Sequence, residues 1–161
     1  MDLLILVTLG TQDKKFTRLL EAVQKQIDCG NIKEEVIVQA GCTSDFKSKD
    51  MKIFDLIPME KFDELISECN ILITHGGVGS IITGLKADKK VIAAARLKEF
   101  GEHTNDHQLQ IIESFSKKGH IIALDDFNSL DKKLKETKTF KPKKYKSNTN
   151  KFIKLIEKEI G

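Results

Sequence analysis

Short apolar runs alternate with amphipathic segments along most of this 161-residue chain, and this alternation limits the folds that it can adopt. Residues 3–8 are continuously apolar, which is typical of a strand buried on both faces of a sheet. Residues 14–28 carry their apolar side chains at helical spacing. Strands that alternate with helices in this way predict βαβ units, right-handed crossovers and a mostly parallel sheet. We therefore expect an α/β, Rossmann-like fold with helices on both faces of the sheet.

Apolar patterns and turn residues give the remaining elements. The predicted strands are 3–8, 36–40, 52–57, 71–74, 91–95 and 121–124. The predicted helices are 14–28, 59–68, 78–87, 105–117 and 127–136. Because ligands of open parallel sheets bind beyond the carboxyl ends of the strands, the loops 9–13, 75–80 and 96–108 should lie on one rim.

The whole chain, 1–161, is expected to form one domain, since its length suits a single hydrophobic core. A basic segment at 132–146, with eight lysines and one acid, and a final helix at 148–160 form an appendage. The basic segment is either a solvated linker or a surface attracted to anionic lipid or to an acidic partner. The apolar stripe of the final helix packs on the core or docks on a partner.

Composition and sequence signals exclude several classes of protein. With 40% hydrophobic and 32% charged residues, the chain does not have the composition of a disordered protein. Its net charge of +3 is too small to indicate nucleic-acid binding, and no aromatic platform accompanies the lysines. No apolar run approaches the roughly 20 residues of a membrane helix, and the apolar start lacks the flanks of a signal peptide. Three cysteines without metal-site spacing indicate free thiols in a reducing compartment.

A glycine-rich segment at 74–80 joins a predicted strand to a predicted helix. Gly76, Gly77 and Gly79 allow the backbone to approach a ligand closely. The helix that follows presents unpaired amides and the positive end of its dipole to a phosphate group, and Ser80 adds a hydroxyl. The spacing fits neither a Walker A loop nor the dinucleotide fingerprint. A tight structural turn with a capping serine is the alternative.

A second candidate segment, 101–108, precedes a predicted helix and is dense in hydrogen-bonding side chains. Four of them are of the types that bind sugar hydroxyls, namely Glu102, Asn105, Asp106 and Gln108. One alternative is a solvated loop in which Asn105 or Asp106 caps the helix. A metal site formed by His103 and His107 is another. A third, weaker candidate is the segment Gly10-Thr11-Gln12, which follows the first strand. Its backbone amides would face a bound anion, and a plain βα turn is the alternative.

In order and spacing, these motifs resemble those of glycosyltransferase family 28 C-terminal domains. The chain is more closely similar to the small catalytic subunits of two-component (split) UDP-sugar glycosyltransferases. These include the eukaryotic dolichol-linked GlcNAc transferase and bacterial capsular and exopolysaccharide enzymes. The resemblance spans roughly residues 3–125 and rests on the segments 7–11, 74–81, 96–98 and 101–108. It implies the C-terminal half of a GT-B fold.

The resemblance also implies a UDP-sugar donor and an inverting reaction that needs neither a metal nor another cofactor. The diphosphate would lie at the helix that starts near Gly79 and Ser80, and Thr11 would lie in the loop that closes on it. Many relatives carry a glutamate that holds the ribose at the position of Thr83, so that contact is in question here. The donor-binding candidates are Gly10, Thr11, His75, Gly76, Gly77, Gly79, Ser80, Thr83, Glu102, Asn105, Asp106 and Gln108.

A complete GT-B enzyme has two Rossmann-like domains, and this chain is long enough for one. The resemblance therefore implies a membrane-anchored second subunit that brings a polyprenyl-diphosphate-linked saccharide acceptor and the general base. In this chain, His75 and His107 are weak candidates for that base. The expected location is cytoplasmic, peripheral at the inner face of the cell membrane through the partner. UDP-galactose is the preferred donor and UDP-GlcNAc the alternative.

Two rival functions stay open on sequence grounds. The first rival is a non-catalytic assembly subunit that stabilises its partner. The second is a nucleotide-dependent oxidoreductase or a phosphatase. The missing G-x-G-x-x-G after the first strand argues against the oxidoreductase. The missing paired-aspartate or cysteine nucleophile signature argues against the phosphatase.

Overall fold

Six parallel strands form one sheet in the computed structural model, which describes residues 3–145. The strands are β1 (Leu4–Thr8), β2 (Glu35–Gln39), β3 (Met51–Phe54), β4 (Ile71–His75), β5 (Lys90–Ala94) and β6 (Ile122–Leu124). Their order is β3-β2-β1-β4-β5-β6, and every neighbouring pair is parallel. The order reverses between β1 and β4, so the crevice beyond their carboxyl ends is where such sheets bind ligands.

Five helices cover the two faces of this sheet: α1 (Thr17–Asp28), α2 (Met59–Glu68), α3 (Val78–Lys86), α4 (His107–Lys117) and α5 (Leu130–Glu136). The side chains of β1 alternate between two core clusters. Ile5 and Val7 pack in the cluster that α1 and α5 complete. Leu4 and Leu6 pack in the cluster that α2, α3 and α4 complete. The predicted α/β fold with helices on both faces is therefore confirmed, and burial on both sides explains why β1 is continuously apolar.

Two helices begin later than the apolar spacing predicts. The helix α1 starts at Thr17 rather than at 14, and the amide of Phe16, the residue just before it, donates to Oγ1 of Thr43 over 3.0 Å on another loop. The helix α4 starts at His107 rather than at 105. There Oδ1 of Asn105 accepts a hydrogen bond from the His107 amide over 3.0 Å, which forms a turn ahead of the helix.

The third strand and the fifth helix are also shorter than predicted. The strand β3 ends at Phe54 rather than at 57, and the chain then leaves the sheet toward Pro58, which lacks an amide hydrogen and precedes α2. The segment 127–136 divides into a 3₁₀ turn at Phe127–Ser129 and the helix α5.

Part of the basic segment 132–146 belongs to the folded body. Leu134 is buried in the core, and Phe140 packs against it. The predicted final helix at 148–160 lies outside the described residues. Within residues 3–145, no helix has the length and apolar character needed to cross a membrane.

Candidate functional site

A cleft of about 570 Å³ opens at the carboxyl ends of β1, β2 and β4, at the switch point of the sheet. Seven of the predicted donor-binding residues line it, namely Gly10, Thr11, His75, Gly77, Gly79, Ser80 and Thr83, together with Gln12 and Gln39. Its outer wall is apolar and comes from Leu56, Ile57, Met59 and Phe62. The loops 9–13 and 75–80 therefore meet here as predicted, whereas the described residues of 96–108 stand behind the cleft and do not line it.

The imidazole of His75 is enclosed between two glycines from different loops. A Cβ atom on Gly77 would lie 2.3 Å from Cε1 of this ring, and one on Gly10 would lie 2.6 Å from Nε2. Gly10 also has a φ of +80°, which favours glycine over any residue with a side chain. These two positions must stay without a side chain for the ring to keep its place.

Hydrogen bonds determine which nitrogen of His75 carries the proton. The amide oxygen of Gln108 accepts from the backbone N–H of Gly76 (2.9 Å) and of Arg96 (3.0 Å). The amide nitrogen of Gln108 must then be the atom that lies 3.2 Å from Nδ1 of His75, and it donates to that nitrogen. Nδ1 is therefore an acceptor, and the neutral ring is protonated on Nε2.

Electrostatics keep this ring neutral. Burial lowers the pKa of His75 to about 3, with the positive charge of Arg96 and the neighbouring His103 as smaller contributions to the same shift. Nε2 lies 3.5 Å from Oγ of Ser80, at the cleft. Because Nε2 carries the proton and the lone pair of Nδ1 accepts from Gln108, the ring has no free lone pair at the cleft, and His75 suits hydrogen-bond donation to a ligand better than proton abstraction.

The first turn of α3 supplies further donors. This helix begins at Val78, and the first intrahelical bond runs from the amide of Ile81 to the carbonyl of Gly77. The amides before Ile81 have no partner within the helix. A Cβ on Gly79 would meet no heavy atom within 4 Å, so glycine leaves this turn open to the cleft. One turn later, the hydroxyl of Thr83 donates to the Gly79 carbonyl over 2.8 Å.

Three residues of the segment 101–108 are buried, namely Glu102, His103 and Gln108, and none of the segment lines the cleft. Glu102 is 3% exposed and Gln108 is 2% exposed, and their polar atoms bond to other parts of the chain. Oδ1 of Asp106, an exposed residue, accepts from the amide of Lys98 over 2.8 Å. Only Asn105 and Asp106 of the four predicted sugar-binding residues therefore keep side chains that are partly or fully exposed.

The two histidines of this segment lie behind the cleft. His103 is buried, and burial followed by the charge of Arg96 lowers its pKa. His107 begins α4, and its Nδ1 is buried without a hydrogen-bond partner among the described residues. In the part of the chain that the structure describes, no group of three or more His, Cys, Asp or Glu side chains is placed to hold a metal ion.

Two arginines that the sequence motifs did not single out as functional organise these loops. Arg96 is 1% exposed, and its guanidinium donates to the carbonyls of Lys14 (2.6 Å), Glu102 (3.1 Å) and Leu9. It thus joins the loop after β1 to the loop after β5. Arg18 on α1 pairs with the Glu102 carboxylate. The sequence separation of 84 residues between Arg18 and Glu102 leaves no local pattern that would reveal the pair.

Comparisons with known proteins agree with this architecture. Residues 4–160 match the family described as glycosyltransferase family 28 C-terminal domain. The UDP-N-acetylglucosamine transferase subunit ALG13 of Candida glabrata is 39% identical over 56 residues, which are 34% of this chain and 25% of that protein. The match thus spans about a quarter of the length of this curated relative.

Solved structures share the fold at low sequence identity. An NMR structure of ALG13 superposes with a TM-score of 0.62 at 19% identity, over 99% of this chain and 98% of that one. Acinetobacter baumannii MurG gives a TM-score of 0.62 at 15% identity, over 98% of this chain and 50% of that one. The calicheamicin glycosyltransferase CalG4 gives 0.61 at 14% identity, over 99% and 39%. The chain therefore shares its fold with nearly the whole of the ALG13 structure, with half of MurG and with 39% of CalG4.

Proposed function

Because this chain belongs to the glycosyltransferase family 28 C-terminal domains, we propose that it is the donor-binding subunit of a split, inverting glycosyltransferase that uses a UDP-hexose. The observation that carries the proposal is the neutral His75, whose Nε2–H lies beside Ser80 at the open first turn of α3. A ring that donates without bearing charge, a hydroxyl and free helix amides form one set of donors in a single cleft. Such a set suits a diphosphate.

The walls of the cleft suit the two ends of the nucleotide. Ile57 and Phe62 give an apolar surface against which a uracil ring would pack, on the side of β3 and α2. The glycine loop gives the polar floor on which the diphosphate would lie. Gly79 has no neighbour within 4 Å at the Cβ position, so a phosphate could approach the backbone there.

The reaction that follows from this arrangement is a displacement at the anomeric carbon. An acceptor hydroxyl forms the new bond from the face opposite the diphosphate, the bond from the anomeric carbon to the diphosphate oxygen breaks, and UDP leaves. The Nε2–H of His75, the Ser80 hydroxyl and the helix amides would stabilise the negative charge that develops on UDP. Since His75 donates from Nε2, the base that takes the acceptor proton would come from a second subunit.

The acceptor side of the reaction is also part of the proposal. A polyprenyl-diphosphate-linked saccharide, presented by a membrane-anchored second glycosyltransferase subunit, would meet the donor across the cleft. The chain would then be peripheral at the cytoplasmic face of the membrane through that partner, and polysaccharide biosynthesis is the process we propose.

The donor sugar divides the proposal into two candidates. UDP-galactose is the first, as in similar bacterial subunits for capsule and exopolysaccharide. UDP-GlcNAc is the second, and the similarity to ALG13 supports it. The two sugars differ in the configuration at C4 and in the substituent at C2.

A calorimetric titration of the full chain, with and without its partner, tests the proposal. The ligands are UDP, UDP-galactose, UDP-GlcNAc and NAD. We expect a uridine nucleotide to bind, NAD not to bind, and His75→Ala to weaken UDP binding by at least about tenfold. His120→Ala, at a histidine near the far end of α4 that bonds to the Lys143 carbonyl, is the matched control and should bind as the wild type does. Absence of uridine-nucleotide binding in both settings would leave the assembly-subunit alternative.

A further inference from the structure

Arg18 lies on α1, outside the cleft, and its guanidinium is held on several sides. Its Nε donates to Oε2 of Glu102 over 3.0 Å and its Nη2 donates to Oε1 over 2.9 Å, which makes the pair bidentate. The guanidinium carbon lies 4.3 Å from the ring centroid of Phe100 and 3.9 Å from that of Phe127. We call the set Arg18, Glu102, Phe100 and Phe127 the arginine clasp.

The carboxylate of Glu102 continues the connection into the loop after β5. Its Oε1 also accepts from the amide of Leu97 over 3.0 Å, so the carboxylate is engaged within the loop itself. The backbone carbonyl of Glu102 accepts from Arg96 over 3.1 Å. Only 4% of the Glu102 side chain is exposed, so it has no free face for a sugar hydroxyl. Its hydrogen bonds to Arg18, Leu97 and Arg96 instead hold the loop in place.

From Arg96 the hydrogen bonds lead to the cleft. The Arg96 amide donates to Oε1 of Gln108, the same oxygen accepts from the Gly76 amide, and the amide nitrogen of Gln108 donates to His75. A continuous network therefore runs from the surface of α1, through the loop 96–108, to the glycine loop. Bidentate arginine pairs are geometrically specific, so the clasp is suited to fix the position of this loop.

We propose that Arg18 is a positioning residue for donor-sugar binding: through Glu102 it fixes the loop 96–108 behind the cleft, where Asn105 and Asp106 keep partly or fully exposed side chains for the sugar of a bound donor. The inference rests on the proposed function, because it assigns a task to a loop of the same donor site. Arg18 itself touches neither the cleft nor the donor. It acts on the sugar end of the ligand and leaves the diphosphate donors in place.

The first measurement separates the sugar from the nucleotide. In a titration of the full chain with its partner, Arg18→Gln is expected to weaken binding of the preferred UDP-sugar about 3- to 10-fold, while the affinity for UDP stays within about twofold of wild type. Arg18→Lys retains the charge but not the bidentate pair, so its loss should be intermediate. Lys117→Gln removes one positive charge from an exposed ion pair with Glu113 at the far end of α4, and it should leave both affinities unchanged.

The second measurement needs no ligand. In ¹⁵N–¹H spectra of the free chain, Arg18→Gln should shift the amide resonances of Leu97 and Gly76, and Lys117→Gln should not. Unchanged resonances at Leu97 and Gly76 would overturn the proposal, as would equal losses of UDP and UDP-sugar affinity in Arg18→Gln. A wild-type chain that binds no uridine nucleotide would instead overturn the proposed function, and the spectra would still decide whether Arg18 holds the loop.

Discussion

The side-chain amide of Gln108 donates to Nδ1 of His75 across 3.2 Å, although the two residues lie 33 positions apart in the chain. This bond joins the first turn of α4 to the end of β4 and leaves the proton of the ring on Nε2, toward Ser80. The protonation state of the residue that faces the cleft is thus set by a residue behind it. The predictions that follow test this arrangement and its surroundings.

The first prediction concerns the tautomer of His75. Because burial and the charge of Arg96 lower the pKa of His75 to about 3, we expect the ring to be neutral and protonated on Nε2 from roughly pH 5 to pH 8. Long-range ¹H–¹⁵N spectra of the histidine rings distinguish the two tautomers directly. A titration midpoint near the ordinary value of about 6.5, or a proton on Nδ1, would contradict the geometry.

A second prediction is the pH dependence of stability. The unfolded chain protonates His75 near its ordinary pKa of about 6.5, whereas the folded chain resists protonation down to about 3. Between these values the unfolded state binds more protons, so the free energy of unfolding falls as the pH falls, by at most about 1.4 kcal/mol per pH unit from this group. Urea unfolding at several pH values should give a shallower slope for His75→Asn than for wild type, and His120→Asn should keep the wild-type slope.

A third prediction separates two glycines of the same loop. In Gly77→Ala the new methyl group would lie 2.3 Å from the His75 ring, so we expect a loss of roughly 1–3 kcal/mol in the free energy of unfolding. In Gly79→Ala the methyl group meets no neighbour, and alanine favours the helix, so stability should stay or rise by about 0.5–1 kcal/mol. That same methyl group enters the cleft, and UDP binding should weaken. Chemical denaturation and calorimetry on both variants check this; a destabilised Gly79→Ala would refute the assignment of an open helix turn.

A fourth prediction addresses Arg96 as the connection between two loops. Its guanidinium donates hydrogen bonds to the carbonyls of Leu9, Lys14 and Glu102. Each hydrogen bond from a charged donor contributes about 1.5–3 kcal/mol to the free energy of unfolding. Arg96→Lys cannot reach all three carbonyls, so its unfolding midpoint in urea should fall markedly. Lys90→Arg, at a partly buried cation of β5, retains a donor for the Thr137 carbonyl and should change the midpoint little. Equal midpoints for Arg96→Lys and wild type would show that the two loops do not depend on this side chain.

How well the sequence predicts this structure depends on how far apart in the chain a residue and its partner lie. The strand β1 and the helix α2 follow from local apolar patterns, and the predicted bounds of α2 coincide with the observed ones. The start of α1 could not be predicted in this way, because the partner of the Phe16 amide is Thr43, on another loop. At the site, the glycine loop was predictable from its own composition and its place after a strand.

Glu102 shows the limit more clearly. Its chemical type fits a sugar hydroxyl, and the sequence motif places it in a polar loop, but its carboxylate is taken by Arg18. Arg18 lies on α1, 84 residues earlier in the chain, and carries no local signal of such a pairing. Residue type alone therefore could not divide the side chains of this loop into inward and outward groups, because that division depends on the tertiary structure.

The last prediction uses the position at which this chain departs from similar enzymes. Thr83 lines the cleft one turn after Gly79, but its hydroxyl already donates to the Gly79 carbonyl within α3, so Thr83→Ala should change UDP affinity by less than about twofold. Thr83→Glu places a carboxylate where many similar enzymes carry the ribose-binding glutamate, and glutamate is compatible with a helix. We expect it to raise the affinity for UDP more than that for 2′,3′-dideoxy-UDP, since only the former has hydroxyls to donate to a carboxylate. Titration of both nucleotides against wild type, Thr83→Ala and Thr83→Glu measures this directly. If Thr83→Glu gained equally for the two nucleotides, or lost affinity for both, the ribose would lie elsewhere in the cleft, and the nucleotide would have to be oriented differently over the glycine loop.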